Sequence, residues 1–108
     1  MIQRTYRARV KKDKLAAYEA FERDEGVPMV VSMPGCLGAG FGRVREEKDL
    51  VFLFTSLWET QKHLDEARAT PTWKKVAGKL ASLGFTLGED VAEHVDLVAW
   101  VAGPSPKR

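Results

Sequence analysis

Apolar residues alternate with other residues in four stretches of the chain, which is the period of a β-strand. These stretches are residues 2–10, 35–43, 50–58 and 91–102. The polar run 45–49 separates the second stretch from the third and predicts a hairpin turn between them. The sequence therefore predicts four strands, of which the middle two are neighbours along the chain.

Between the first two strands the apolar spacing changes to three and four residues, which is typical of an α-helix. Asp13 is predicted to cap this helix, and Glu22 is placed mainly on its outer face. Gly26 is predicted to stop the helix, and Pro28 to open a kinked continuation of a turn or two. The apolar stripe consists of Leu15, Tyr18 and Phe21.

The segment after the third strand carries signals for two further helices. Thr60 is predicted to cap the first of them. Thr70 followed by Pro71 combines a cap with proline in the first helical position, so the helix is expected to restart there and to end at Gly84. The stripe of this second part consists of Trp73, Val76, Leu80 and Leu83.

The third strand is apolar on both faces, with Phe52 and Phe54 on one and Leu53 and Leu57 on the other. The order strand, helix, strand, strand, helix, strand predicts an α+β, ferredoxin-like βαββαβ fold with an antiparallel sheet. In that fold both helices cover one face of the sheet. The other face then needs a cover, and we expect a second copy of the same sheet, which gives a homodimer.

The second strand carries glycine at every other position, so that one of its faces has no side chains. Two interpretations are open: a weak, bulged strand, or a surface against which a ligand or another backbone lies. The glycines are Gly38, Gly40 and Gly42.

Length and composition bound the remaining possibilities. A chain of 108 residues predicts one domain, placed at residues 1–102, with a disordered tail at 103–108. The net charge of +2 gives no electrostatic reason to expect nucleic acid. No apolar run is long enough for a membrane span and no signal peptide is recognised, so we expect a cytoplasmic protein. His63 and His94 lie too far apart in sequence for a metal-ligand pair, and no metal site is expected.

Several short segments in this order resemble the antibiotic biosynthesis monooxygenase family of dimeric α+β barrels. The segments are PGCLG, SLWE at the end of the third strand, TQKHL, and the helix break ATPTW. The resemblance implies a pocket between sheet and helices in each subunit. It favours a cofactor-independent monooxygenase acting on a small aromatic or quinol-type substrate, and the alternative is a non-catalytic binding or interaction member of the same fold.

Two other functions known for this topology are less well supported. At the positions where haem-degrading relatives carry their asparagine, tryptophan and iron-binding histidine, this chain has Tyr6, Ala67 and Ala77, so no haem or other cofactor is expected. The RNA-recognition signature is absent from the third strand.

The resemblance and the aromatic residues together supply candidate site residues. Trp58 matches a pocket tryptophan of the polyketide-oxidising relatives, and Tyr6 and His63 are the other candidates for a catalytic role. Residues that pack a core have the same spacing as residues that line a pocket, so packing is the competing interpretation for most of them. The predicted substrate-binding residues are Tyr6, Tyr18, Phe54, Trp58, Leu64, Ala67 and Trp73.

Overall fold

One antiparallel sheet of four strands is present in the computed structural model, which describes residues 1–88 and 90–104. The strands are β1 (Ile2–Arg9), β2 (Cys36–Arg43), β3 (Val51–Trp58) and β4 (Val91–Asp96). They lie side by side in the order β2-β3-β1-β4, and each neighbouring pair is antiparallel. This confirms the predicted α+β, ferredoxin-like class. The division into one domain at 1–102 stays a prediction, and residues 105–108 of the predicted tail lie outside the described residues.

The helices form two segments that pack on one face of the sheet. The first runs through a 3-10 turn (Lys12–Lys14), α1 (Leu15–Phe21), a π turn (Glu22–Gly26) and α2 (Val27–Val31). The second consists of α3 (Gln61–Arg68) and α4 (Pro71–Leu83). Thr60 and Thr70 cap α3 and α4 by accepting backbone N–H groups, and Gly84 ends α4 in the left-handed conformation, as predicted.

The first helical segment differs from the prediction at both of its signals. Asp13 makes no side-chain cap, because the segment begins with a 3-10 turn. Gly26 does not stop the helix, since its φ of −66° and ψ of −58° are helical. The expected continuation through Pro28 is present as α2, and the irregularity before it takes the form of a π turn.

The last strand is shorter than predicted. Pairing between β1 and β4 ends where Ile2 lies opposite Asp96, and the N–H of Leu97 donates to the carbonyl of Met1. β1 begins at Ile2, so this is the last pair between the two strands. The alternating pattern of residues 97–102 therefore does not extend the sheet.

The core lies between the sheet and the helices in two adjoining clusters. One surrounds Trp58, and the other surrounds Tyr18, whose ring meets those of Phe52 and Phe85 edge-on at 5.2 and 5.8 Å. Phe41 of β2 touches both clusters. Such edge-to-face pairs add about 0.5–1.5 kcal/mol each to the burial of their apolar surface.

The bare glycine face of β2 is on the outer side of the sheet, away from the helices. Gly40 and Gly42 lie opposite Thr55 and Leu53, while Phe41 points to the core. A Cβ built on Gly38, Gly40 or Gly42 would meet nothing within 4 Å. The strand is also bulged between Cys36 and Gly38, which agrees with the first of the two interpretations. The glycines do not enlarge a pocket on the helical side.

The proline-glycine break before β2 depends on glycine for two reasons. Gly35 has a φ of +82°, and a Cβ there would overlap the imidazole ring of His63. We expect Gly35→Ala to lower the free energy of unfolding by about 1–3 kcal/mol. Gly78→Ala is the matched control, because Gly78 lies in α4 with open space around it, and this change is expected to stabilise by about 0.5–1 kcal/mol. Urea titrations measure both, and equal effects would contradict the prediction.

Candidate functional site

A cavity of about 200 Å³ lies between the sheet and the helices. β1 and β3 form its floor, the first helical segment and α4 form its sides, and the residues before β4 close one end. Most of the lining is apolar. The polar and charged side chains that reach it are Arg4, Tyr6, Glu22, Thr86 and Asp90.

Glu22 is the buried carboxyl group of this cavity, with 3% of its surface exposed. The hydroxyl of Tyr18 donates to its Oε2 at 3.2 Å. Burial raises the pKa of Glu22 to about 7, although the hydrogen bond from Tyr18 acts in the opposite direction. A carboxyl group with this pKa can both accept and return a proton near neutral pH.

The π turn positions the Glu22 carboxyl group. In this turn the N–H of Val27 donates to the carbonyl of Glu22, five residues back, which widens the helix locally. Gly26 completes the arrangement, because a Cβ at that position would overlap Oε1 of Glu22 and would also press on the ring of Phe54. A side chain at this position would therefore displace the Glu22 carboxyl group and press on Phe54, whereas the helical φ and ψ of Gly26 are open to any residue.

Tyr6 and Asp90 form the second polar pair of the cavity. The Tyr6 hydroxyl donates to Oδ2 of Asp90, which also accepts a longer hydrogen bond of 3.4 Å from Thr86. Burial, followed by the hydrogen bond and charge of Asp90, raises the pKa of Tyr6 well above its ordinary value, so the phenol stays protonated. The other carboxylate oxygen, Oδ1 of Asp90, is buried without a hydrogen-bond partner among the described residues.

Arg4 brings a positive charge to the same floor. Its guanidinium lies 5.6 Å from the ring centres of both Tyr6 and Trp73, within the range of a cation–π contact. Its Nε is buried and has no hydrogen-bond partner in the described part of the chain. The pKa of Arg4 is lowered, first by burial and then by the charge of Arg68. On β4 the residue paired with Arg4 is His94, whose pKa is likewise lowered by burial and by these two arginines.

Three of the seven predicted substrate-binding residues line the cavity, namely Tyr6, Phe54 and Trp73. Tyr18 is fully buried directly behind the lining and reaches it through its hydrogen bond to Glu22. Their roles in binding a substrate stay predictions. Their positions show that the aromatic residues of β1, β3 and α4 converge on one space.

Trp58, Leu64 and Ala67 lie in the core and do not line the described cavity. Trp58 is completely buried, its Nε1 donates to Oγ of Ser56 at 2.9 Å, and its ring packs 6.2 Å from that of Trp73. Trp58 therefore supports the cavity wall from behind. Its proposed catalytic part is not tested by this geometry.

His63 lies at the start of α3, on the surface. Its Nδ1 is 2.7 Å from Oγ1 of Thr60, its Nε2 is 3.8 Å from a carboxylate oxygen of Glu59, and its ring packs over Gly35. It is not among the lining residues. These contacts hold the turn between β3 and α3, and the suggested catalytic role stays a prediction without support from the contacts.

The sequence interpretation missed the three charged residues of the cavity. The sequence pattern predicts Glu22 on the outer face of the helix, but Glu22 is four residues after Tyr18 and so belongs to the buried stripe. An acidic residue in an apolar stripe, with glycine four residues later, is the signal that could have identified it. Arg4 shares the inward face of β1 with Tyr6, which was a similar signal. No sequence pattern indicated Asp90.

The sequence model of the family described as antibiotic biosynthesis monooxygenase matches residues 1–79. No curated protein matches the chain significantly. Within the described residues no helix has the length and apolar character needed to cross a membrane, and no three His, Cys, Asp or Glu side chains lie close enough together to hold a metal ion.

Solved structures share the fold at low sequence identity. Proteins of Nitrosomonas europaea and Caulobacter crescentus, both described provisionally as antibiotic biosynthesis monooxygenases, are 15% and 22% identical with TM-scores of 0.78 and 0.77. The matches cover 92% and 91% of this chain and 100% and 90% of those chains. A point mutant of SnoaB, a cofactor-independent oxygenase from Streptomyces nogalater, is 14% identical with a TM-score of 0.73 over 93% of this chain and 95% of its own.

The raised pKa of Glu22 predicts a pH-dependent stability. The folded state holds this proton more tightly than the unfolded chain, so the stabilising contribution is complete below about pH 4.5 and is lost as the pH rises through about 7. The amide group introduced by Glu22→Gln stays neutral at both pH values. Its free energy of unfolding relative to the native protein should therefore rise by on the order of 3 kcal/mol between pH 4.5 and pH 8.

Urea unfolding at the two pH values measures this difference. Glu19→Gln is the matched control, since Glu19 is a partly exposed acid of α1, three residues before Glu22, that does not line the cavity. A constant difference for Glu22→Gln would show that folding does not raise the pKa of Glu22, and it would contradict the prediction.

Proposed function

This chain belongs to the antibiotic biosynthesis monooxygenase family, and from that premise we propose that it is a cofactor-independent monooxygenase of small, electron-rich aromatic substrates. The single observation that carries the proposal is the Glu22 carboxyl group, which is buried in an aromatic-lined cavity with a pKa of about 7. Oxygenation without metal or flavin takes its electrons from the substrate. The protein then has to supply a base, a dry space and a stabilised oxyanion.

The size of the cavity limits the substrate. An apolar cavity of about 150 Å³ accepts benzene, and pockets for drug-sized ligands start at about 300 Å³. The 200 Å³ available here suit one or two fused rings. Phe54 and Trp73 supply apolar walls against which such rings can lie.

The proposed reaction converts an acidic CH₂ group of the substrate, such as the keto form of a phenol, into a carbonyl. Glu22 removes one proton from this carbon, and the resulting carbanion passes an electron to O₂. The substrate radical and superoxide combine to a peroxide, which takes the proton back from Glu22. Loss of water, with the second hydrogen of the carbon, leaves C=O. One CH₂ and one O₂ thus become one C=O and one H₂O.

The surroundings of Glu22 fit this task. The carboxylate faces the Tyr18 hydroxyl, and the remaining charged or titratable groups lining the cavity are Arg4, Tyr6 and Asp90. Arg4 supplies a positive charge for the enolate oxygen that forms as the proton leaves. Tyr6 stays protonated and engaged with Asp90, so it does not compete with Glu22 for the substrate proton.

Oxygen uptake tests the proposal with a panel of one- and two-ring quinols. We expect kcat/KM to rise about tenfold per pH unit below pH 7 and to level off above it, because only ionised Glu22 acts as the base. Glu22→Gln should lower the rate by about 10²- to 10⁴-fold, while Glu19→Gln leaves it unchanged. Uptake without release of hydrogen peroxide separates monooxygenation from autoxidation. Saturable binding without turnover of any compound would instead favour the non-catalytic binding member of the family.

We also propose that two copies pair through the outer face of the sheet. This face carries Leu53 and Leu57, which are only half-buried, beside the uncovered glycine row of β2. Val91 and Val95 of β4 are 53% and 42% exposed on the same side. These apolar residues form exposed patches on either side of Gln3, Thr5 and Arg7 of β1, and exposed apolar patches of this kind are typical of an interface between subunits.

Light scattering at micromolar concentration tests the pairing. The native protein is expected to be a dimer, and Leu57→Lys should give monomers because it places a charge in the apolar interface. Leu83→Lys is the control, since Leu83 is an exposed leucine of α4 on the helical side. A native monomer would contradict the proposal.

A further inference from the structure

The Tyr18 side chain lies directly behind the wall of the cavity, with its hydroxyl on the buried carboxyl group. The hydroxyl donates to Oε2 of Glu22 at 3.2 Å. Tyr18 is 0% exposed, so bulk water does not compete for this hydrogen bond. Its ring is also held in place, because three phenylalanine rings pack against it edge-on. They are Phe41, Phe52 and Phe85, with ring centres 6.4, 5.2 and 5.8 Å away.

The direction of this hydrogen bond follows from its surroundings. A phenol carries one proton to donate, and in the described part of the chain the Tyr18 hydroxyl has no acceptor other than Oε2 of Glu22. Burial, followed by the charge of Glu22, raises the pKa of Tyr18 well above its ordinary value, so the phenol keeps its proton. Tyr18 therefore donates to Oε2 whether or not Glu22 is ionised, and the proton of the neutral acid lies on Oε1.

The other oxygen, Oε1, lies on the side of the carboxyl group that borders the cavity. A Cβ built on Gly26 would overlap Oε1 and would lie 3.3 Å from the ring of Phe54. Glu22, Gly26 and Phe54 all line the cavity. The space left by the missing side chain of Gly26 is therefore bounded by Oε1 on one side and by an aromatic wall on the other. The two carboxyl oxygens thus have different surroundings.

From this difference we infer that Tyr18 is the positioning residue of the base: its hydroxyl holds Oε2, so that Oε1 takes the proton of the substrate. The inference rests on the proposed function for calling Glu22 a base. When the C–H bond breaks, its electron pair stays on the substrate, and the proton binds Oε1. The same proton later passes from Oε1 to the peroxide. Tyr18 does not touch the substrate, and Arg4 keeps its place at the enolate oxygen.

The same hydrogen bond influences the pH range in which the base is ionised. A donor to a carboxylate favours the ionised form, so Tyr18 lowers the pKa of Glu22, against the burial that raises it to about 7. The remaining charged or titratable groups of the lining are Arg4, Tyr6 and Asp90, and no hydrogen bond joins them to Glu22 in the described structure. The described lining residues of β3, α2 and α4 are uncharged. Tyr18 is therefore the group whose removal should shift the pKa of Glu22 without altering the cavity wall.

Carbon-13 NMR titration of the Glu22 carboxyl group tests the inference without a substrate. The native midpoint is expected at about pH 7. Tyr18→Phe removes the hydroxyl and keeps the ring, and its midpoint should lie about one pH unit higher, because a hydrogen bond to a charged group corresponds to at least about tenfold in an equilibrium constant. An unmoved midpoint would overturn the inference.

A second measurement on the native protein needs no variant to fold. The chain has two tyrosines, and the Cζ signal of Tyr18 should titrate with the same midpoint as Glu22, because the hydrogen bond strengthens as Glu22 ionises. A Tyr18 signal that does not respond to pH in this range would contradict the inference.

Oxygen uptake with one- and two-ring quinols shows whether the hydrogen bond also acts in turnover. The pH at which kcat/KM levels off should rise by about one unit in Tyr18→Phe, and the rate on the acid side should fall by about tenfold at equal pH. Phe85→Leu is the control, because Phe85 packs edge-on against Tyr18 and does not line the cavity. It should lower the stability and leave the levelling pH unchanged. Lower activity of Tyr18→Phe with an unmoved pH profile would indicate a structural role and contradict the inference.

The NMR experiment and the oxygen-uptake experiment fail independently. A higher Glu22 midpoint in Tyr18→Phe without oxidation of any quinol would retain the control of the Glu22 proton by Tyr18 and refute the monooxygenase proposal. Oxidation of quinols with the same pH profile by the native protein and Tyr18→Phe would retain the monooxygenase proposal and refute the positioning role of Tyr18.

Discussion

One buried carboxyl group lies where the helical layer meets the sheet, and the site is arranged around it. Glu22 has almost no contact with water, and a single long hydrogen bond from Tyr18 is its partner among the described residues. An ionised carboxylate in such a place is strongly disfavoured, so the group holds its proton up to about pH 7. Three features surround this group. Gly26 leaves space for its carboxyl oxygen, edge-on aromatic rings pack around Tyr18, and the cavity lies beside it. Its chemistry follows from its environment.

Much of the fold could be predicted because its signals are local. The hairpin follows from a polar run between two alternating stretches, and the caps at Thr60 and Thr70 depend only on residues within one turn. Gly84 ends its helix for an equally local reason. The order of the elements along the chain then indicated the ferredoxin-like class. The length of β4 was wrong, because a strand ends where its neighbour ends, and that is a property of two distant segments.

The site was harder to predict than the fold, since its residues come together only through packing. Tyr6, Phe54 and Trp73 lie on inward faces and line the cavity, while their roles in binding a substrate stay predictions. Trp58 also faces the helices. Its ring packs against that of Trp73 in the core and does not line the cavity. Charged residues were assigned to solvent by default. Asp90 comes from a connection without periodicity, so its approach to Tyr6 had no signature in the sequence.

The π turn has a consequence for how such a site can arise or disappear. A π turn holds one residue more than the α-helical turn it replaces, so it has the form of a one-residue insertion within a helix. Removal of one residue between Glu22 and Gly26 would restore a regular helix, but it would rotate one side of the helix by about 100° relative to the other. Either Glu22 would leave the cavity or α2 would lose its packing against the core. A single insertion or deletion in this helix could therefore separate chains with a buried acid from chains that keep the fold and have lost it.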